Sequence, residues 1–267
     1  MTTAATPDAA VPALAVRDVK KSFGGVRAIS EVSFDVAQGR ITALIGPNGA
    51  GKTTLFNLIT NILPADSGTI SLFGRNLRGL PAMRIAGLGL IRTFQSARVF
   101  PGMTVMENAM LGRHRLMRSG AVAQMLRLGT ARREERQAQR QAEELLELLG
   151  LSRYRDVHAI ELPMGAQKLL EMVRALMAAP RMLCLDEPAA GLNDAETEEL
   201  ARLLAAVRML GITMLVVEHN MSLVMNLADE IVVLDAGRVI AAGLPADIRG
   251  DARVIEAYLG REDNAAA

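Results

Sequence analysis

With 267 residues, a formal charge of +1 and half of its residues hydrophobic, the chain has enough apolar material for one well-buried domain with a sizeable insertion. The near cancellation of 30 basic and 29 acidic side chains excludes a whole-molecule field that would draw nucleic acid or an anionic surface. The single cysteine, Cys184, excludes a disulfide framework and a zinc cluster and suits a reducing cytoplasm, and no apolar run approaches the roughly 18 residues of a membrane span.

Residues 1–13 lack the basic start and long apolar stretch of a secretion signal and read as a disordered tail. From Ala15 to Val36 the pattern alternates, with Val32, Phe34 and Val36 on one face and Ser33 and Asp35 on the other, which predicts two or three antiparallel strands. Arg40 to Ile45 reads as a buried strand running into Gly46-Pro47-Asn48-Gly49-Ala50-Gly51-Lys52-Thr53-Thr54. Glycines at this spacing let backbone N–H groups curl around a β-phosphate without side chains in the way. Leu55, Phe56, Leu58, Ile59 and Ile62 then predict a helix over Lys52 to Ile62 whose positive end faces the phosphates. Lys52 is expected to reach the β and γ oxygens, and the Thr53 hydroxyl to ligate Mg²⁺, a hard ion that prefers oxygen. The chain is therefore expected to bind a nucleoside triphosphate.

Ser67-Gly68-Thr69 reads as a turn before a strand from Ile70 to Phe73, closed by Gly74. Beyond Arg92 the texture changes. Arg113 to Leu149 is rich in Arg, Gln, Glu and Leu, and Ala142, Leu145, Leu146, Leu148 and Leu149 form a helical stripe, predicting an all-helical insertion between two halves of an α/β core. Its arginines, Arg113 to Arg140, are interleaved with Glu134, Glu135 and Glu143 and carry no aromatic residues for base stacking, so a solvated face is expected and no nucleic-acid partner. The core resumes in the buried strand Met182 to Asp186, followed by a helix from Asp194 to Met209, the run Ile212 to Val217 and the run Ile231 to Leu234. Helix alternating with buried strand predicts a mainly parallel sheet with its ligand at the carboxyl edge.

Asp186 and Glu187 stand at the tip of one such strand. Asp186 is placed to bind Mg²⁺ through a water, and Glu187 to orient and deprotonate the water that attacks a γ-phosphate, although Asp-Glu-Pro can also simply end a strand and cap a helix. Gln95, in Arg92-Thr93-Phe94-Gln95, is either a ligand of Mg²⁺ or of the attacking water at the junction with the insertion, or a surface glutamine. His219 follows the run Ile212 to Val217 at a strand's carboxyl end, where a side chain can meet the γ-phosphate.

In this order, Gly46 to Thr54, Gln95, Asp186-Glu187-Pro188 and His219 resemble the ATP-binding cassette subunit of an ABC transporter, from Leu14 to Gly260. The resemblance implies a RecA-like P-loop NTPase of α/β class: a mainly parallel sheet, an antiparallel β subdomain and an inserted α-helical subdomain. The core would span residues 14–95 and 171–245, the insertion 96–170, a C-terminal helical segment 246–260, and a disordered tail 261–267. It further implies ATP and Mg²⁺ as cofactors, ATP hydrolysis, and an adenine-stacking role for Phe23. Family members work in pairs, each ATP lying between one subunit's P-loop and a signature loop of the other, usually Leu-Ser-Gly-Gly-Gln. Here that segment is Leu162-Pro163-Met164-Gly165-Ala166-Gln167. Pro163 has no hydroxyl and no N–H, Met164 replaces a glycine, and Ala166 stands in the usual glutamine position.

Asn193 stands where many relatives have an aspartate that links the two sites. These departures weaken the site to which this chain lends its signature and predict a heterodimer in which one site hydrolyses and the other mainly binds. With no span of its own, such a subunit docks on transmembrane permeases at the cytoplasmic face of the inner membrane, indirectly serving a periplasmic solute-binding protein. Arg92 to Gln95, Ala190 to Asn193, Glu218 to Met221 and above all Arg253 to Gly260 resemble the larger ATPase of bacterial branched-chain amino-acid importers. Urea or amide importers and the lipopolysaccharide exporter share much of this. A soluble ABC protein of translation or DNA repair fits less well, since one P-loop and no sustained heptad repeat are present.

Overall fold

In the computed structural model, which describes residues 11–93, 99–117 and 129–265, two sheets are built according to how each is covered. The first is antiparallel. Strands β1 (Leu14–Phe23) and β2 (Val26–Val36) form a hairpin, with β4 (Ser67–Leu72) and β5 (Arg75–Asn76) on the other side of β1. Val32, Phe34 and Val36 face the core and Ser33 and Asp35 face solvent, the alternation of a sheet with one wet face. Ser67 to Thr69 belongs to β4 instead of forming a turn. Thr69 pairs with Arg17 and Ser67 with Lys20, so Asp18 and Val19 of β1 bulge opposite the single Gly68; Asp18 takes φ +51°, and Gly68, at φ +86°, lies so close that a Cβ on it would stand 2.5 Å from the Arg17 carbonyl. The chain is already ordered at Ala13, which is buried and donates to the Val36 carbonyl at 2.8 Å.

The second sheet has six strands in the order β10 (Arg238–Gly243), β9 (Glu230–Asp235), β3 (Ile41–Ile45), β8 (Thr213–Val217), β7 (Met182–Asp186) and β6 (Leu90–Arg92). All its pairings are parallel except the β9–β10 hairpin. Every residue of β3, β7 and β8 is buried, because apolar clusters cover both faces. Met182 and Cys184 point into a cluster shared with α1 (Lys52–Ile59) and the antiparallel sheet; Leu183 and Leu185 point the opposite way. There they meet the largest cluster, built with α3 (Val105–Leu111), α4 (Gly129–Leu148), α5 (Met164–Met177) and α6 (Asp194–Met209). A third cluster joins Ala43, Ile45 and Val233 to α7 (Met221–Leu227), α8 (Pro245–Arg249) and α9 (Ala252–Ala265). A short α2 (Ala82–Gly87) precedes β6.

α4 buries Ala131, Ala138, Ala142 and Leu146 and leaves Arg132, Arg133, Arg136 and Arg140 exposed, while Leu148, expected in the stripe, is 44% exposed. Together with α3 it packs on α5, so α5 runs across the expected 170/171 boundary as one element of both the helical layer and the core. The helix after Gly51 ends at Ile59, three residues short of Ile62: the Thr60 hydroxyl turns back to the Phe56 carbonyl at 2.8 Å and Asn61 takes φ +54°. The last helix instead continues past Gly260 to Ala265, where Arg261, Glu262 and Ala265 favour helix.

Candidate nucleotide site

Parallel pairing places the carboxyl ends of β3, β8 and β7 side by side, since Leu44 pairs with Val217 and Val217 with Asp186. Loop 46–51 leaves β3 there. Gly46 has φ +149° and a Cβ on it would lie 2.0 Å from the Leu234 carbonyl; Gly51 has φ +102° and its Cβ would meet the Ala28 carbonyl at 2.8 Å. No other residue fits either position. α1 begins directly after Gly51 without a side-chain cap, so its first N–H groups face the concavity of the loop. Lys52 is 9% exposed and arches back, donating from Nζ to the carbonyls of Gly46 (2.6 Å) and Pro47 (3.0 Å). Pro47 and Ala50 are buried, Asn48 and Thr53 exposed and Thr54 half-buried, so the Thr53 hydroxyl stands at the rim. Phe23, 46% exposed with Lys21 Nζ 5.4 Å from its ring centre, ends the strand paired with β2, whose Ala28 touches Gly51.

Asp186 closes β7 at this same edge. Its Oδ2 accepts from Arg92 Nη2 at 2.9 Å, and Arg92 also donates to Asn57 Oδ1 (2.6 Å) and Thr60 Oγ1 (3.1 Å) while lying 4.5 Å from the Phe56 ring centre. Burial pushes the Asp186 carboxyl above the ordinary range, and the Arg92 charge beside it pulls back part of that rise. Glu187 follows in the left-handed region at φ +47°, a conformation that costs a non-glycine residue about 1 kcal/mol or more, held by its N–H donating to the Val217 carbonyl at 2.9 Å. The kink turns its carboxylate toward His219, whose Nδ1 lies 4.0 Å from Glu187 Oε1. His219 is exposed and Glu187 half-buried, so the pair lines an open edge.

Pro163 precedes α5 with extended backbone and gives it no side-chain cap. Leu162 is buried and Met164 is 67% exposed. Gly165 sits where a Cβ would stand 3.1 Å from Glu196 Oε1, Ala166 packs on the large cluster, and Gln167 folds back to donate to the Leu162 carbonyl at 2.9 Å. Asn193 caps α6: its Oδ1 accepts from the Glu196 N–H and Glu196 Oε2 accepts from the Asn193 N–H, both at 3.0 Å. Gln95 lies outside the described residues.

The structure thus gathers loop 46–51, Lys52, Thr53, Asp186, Glu187 and His219 at one sheet edge, and Pro163, Gly165 and Ala166, at the start of α5, line one cavity with Asp186 and Glu187. Sequence reasoning overlooked Arg92, Glu218 and Lys168. Glu218 carried a signal, a carboxylate following four apolar residues at a strand's end, as Asp186 does. Arg92 and Lys168 showed only as cations beside apolar runs, and their partners lie far along the chain.

A parallel sheet with a glycine loop at its carboxyl edge, a lysine folded into that loop and two carboxylates at the carboxyl end of β7, one strand removed from β3, defines a P-loop nucleotide-binding ATPase. The chain belongs to the ABC transporter family, whose model matches residues 29–190; a second model, for the branched-chain amino acid ATP-binding cassette transporter, matches residues 238–264. It is similar to the high-affinity branched-chain amino acid transport ATP-binding protein LivG of Salmonella typhimurium, 43% identical over 93% of this chain and 98% of the relative. BraF of Pseudomonas aeruginosa, of the same description, is 42% identical over 93% and 98%. A solved ATP-binding cassette of an ABC transporter in its ADP conformation superposes with a TM-score of 0.81 at 33% identity, covering 93% of this chain and 99% of the other. Among the described residues no helix is long and apolar enough to cross a membrane.

Proposed function

We propose that this ATPase is the larger nucleotide-binding subunit of a bacterial importer for branched-chain or other hydrophobic amino acids. It would work at the cytoplasmic face of the inner membrane, docked on transmembrane permeases that a periplasmic solute-binding protein supplies. The observation that carries the cargo is the match of residues 238–264 to the branched-chain model, a stretch outside the nucleotide machinery common to the family. In this reading the Gly46 to Thr54 segment cradles the triphosphate through backbone N–H groups, and Lys52 leaves its carbonyls for the β and γ oxygens. Phe23 stacks on adenine, a contact worth about 1 to 3 kcal/mol that any base can make. Gln95 is assigned to the edge of the Mg²⁺ site and the attacking water.

The donor set suits a hard divalent cation: the exposed Thr53 hydroxyl, and Asp186, whose buried carboxylate has a guanidinium for its partner. Mg²⁺ held there would supply charge neutralisation on the phosphate oxygens. Glu187 takes the proton of the attacking water and His219 contacts the γ-phosphate, with the left-handed Glu187 backbone aiming the two groups at one point. The Leu162 to Gln167 segment serves the partner's ATP, and Asn193 lies at the link between the two sites.

The test is Glu187→Gln in the full-length chain. It keeps ATP binding, lowers turnover by about 100-fold or more, lengthens the ATP-bound lifetime and stops leucine uptake in cells carrying it as the sole copy. Normal hydrolysis would refute the role of Glu187, and uptake unaffected by deletion of the gene would refute the cargo.

A further inference from the structure

Two side chains hold the turn after Glu187, one through its carbonyls and one through an N–H. Lys168, in the first turns of α5, donates from Nζ to the carbonyls of Pro188 (3.3 Å) and Ala190. Glu218, at the end of β8 and 0% exposed, accepts the Ala189 N–H on Oε1 at 2.8 Å. Its Oε2 accepts the N–H groups of His219 (3.0 Å) and Asn220 (3.2 Å). Three consecutive residues are therefore gripped by a cation through two carbonyls and by an anion through one N–H. Burial draws the Lys168 ammonium below its ordinary range, while Glu218, Glu171 and Glu187 draw it back up.

The grip has a direction. Glu187 immediately precedes the turn and donates its own N–H to Val217, the residue before Glu218. A displacement of α5 along its axis would pull on the Pro188 and Ala190 carbonyls through Lys168, and the turn would pass the pull through the Ala189 N–H to the carboxylate that also accepts the His219 N–H. We infer that Lys168 and Glu218 are positioning residues for hydrolysis, a clamp through Pro188-Ala189-Ala190 by which movement of this chain's own helix α5 re-aims its own Glu187 and His219. This rests on the roles given above to Glu187 and His219. It assigns to α5 a second output within its own chain, besides the service of its first residues to a partner's nucleotide.

The test compares wild type, Lys168→Met, Lys168→Arg, Glu218→Gln and the Lys168→Met/Glu218→Gln double variant, in the complex purified through a tag on the full-length chain. Lys168→Met is expected to lower kcat about tenfold while KM for ATP stays within about twofold, with the ATP-induced rise in melting temperature retained. Lys168→Arg, which keeps a charged donor, is expected to recover most of the loss. Because both residues act through one turn, the double variant is expected to fall within about twofold of the slower single variant. Unchanged kcat in both single variants, losses that multiply in the double variant, or a kcat loss matched by loss of the ATP-induced shift would each overturn the clamp. Glu187→Gln measured alongside separates the two readings: if it hydrolyses normally, the assignment of the catalytic pair fails, whatever the Lys168 variants do.

Discussion

Cys184 and Asp186 alternate on β7 with opposite fates. Both sit in a strand buried along its whole length, but the carboxylate has Arg92 and the thiol has no hydrogen-bonding need that a strand interior must meet. Burial pushes the Cys184 thiol up to about 12 from its ordinary 9.0, with Arg92 opposing the rise and Asp186 adding to it. The folded chain thus keeps this proton where the unfolded chain has released it, so the unfolded state binds fewer protons and stability falls as pH rises from 9.0 toward 12. Cys184→Ala removes that contribution: between about pH 8 and pH 10.5 its urea midpoint falls less than that of wild type. The single cysteine signalled from composition that no disulfide or zinc was at stake; its depth in the sheet came from the strands on either side. Lys52 was legible because its spacing from Gly46 is local, whereas Arg92 was not, since Asn57, Thr60 and Asp186 meet it only in the fold.

At the scale of the element, α6 shows why a departure from the family pattern carries little structural cost. Asn193 and Glu196 satisfy each other's backbone N–H groups, and either an asparagine or an aspartate oxygen can accept from the third helical residue. Asn193→Ala is therefore expected to lower unfolding free energy by about 1 kcal/mol and Asn193→Asp to leave it nearly unchanged, as measured by denaturant melts. The same helix was predicted to its ends, Asp194 and Met209, because cap and apolar stripe are both local signals. The sequence signal starts β4 too late, because Gly68 looks the same whether it makes a turn or lies in a strand opposite a bulge. Only pairing with Arg17 and Lys20 decides. Ile62 satisfied the helical period after Gly51, but Thr60 and Asn61 offered the backbone other hydrogen bonds and ended α1 first.

For the whole molecule, the role proposed for Leu162 to Gln167 puts its consequence in another subunit. Pro163 presents extended backbone where a serine would both cap α5 and offer a hydroxyl, and Met164 projects an exposed side chain where the proposed role calls for backbone to approach a partner's phosphate. In the proposed heterodimer this chain's own P-loop is complete, and the site it serves is short of donors. Restoring them with Pro163→Ser, Met164→Gly and Ala166→Gln together is expected to raise ATPase of the assembled complex by about tenfold or more, since one transition-state donor is commonly worth a factor of about 100. No gain in that measurement counts against two unequal sites.

The linear sequence by itself determined the glycine loop, the buried strands and their α/β alternation, and the order of motifs that marks an ABC ATPase, because each depends on periodicity or on spacing within a few residues. Tertiary structure alone decided that Asp186, Glu187 and His219 stand at the same sheet edge as loop 46–51. β8 pairs in parallel with β3 across more than a hundred residues of intervening chain and with β7 on its other side, and no local pattern encodes which strand lies beside which. It also decided the partners of Arg92, Lys168 and Glu218. A buried charge must be met by whatever polar group the fold brings to it, and those groups come from elements distant in the chain.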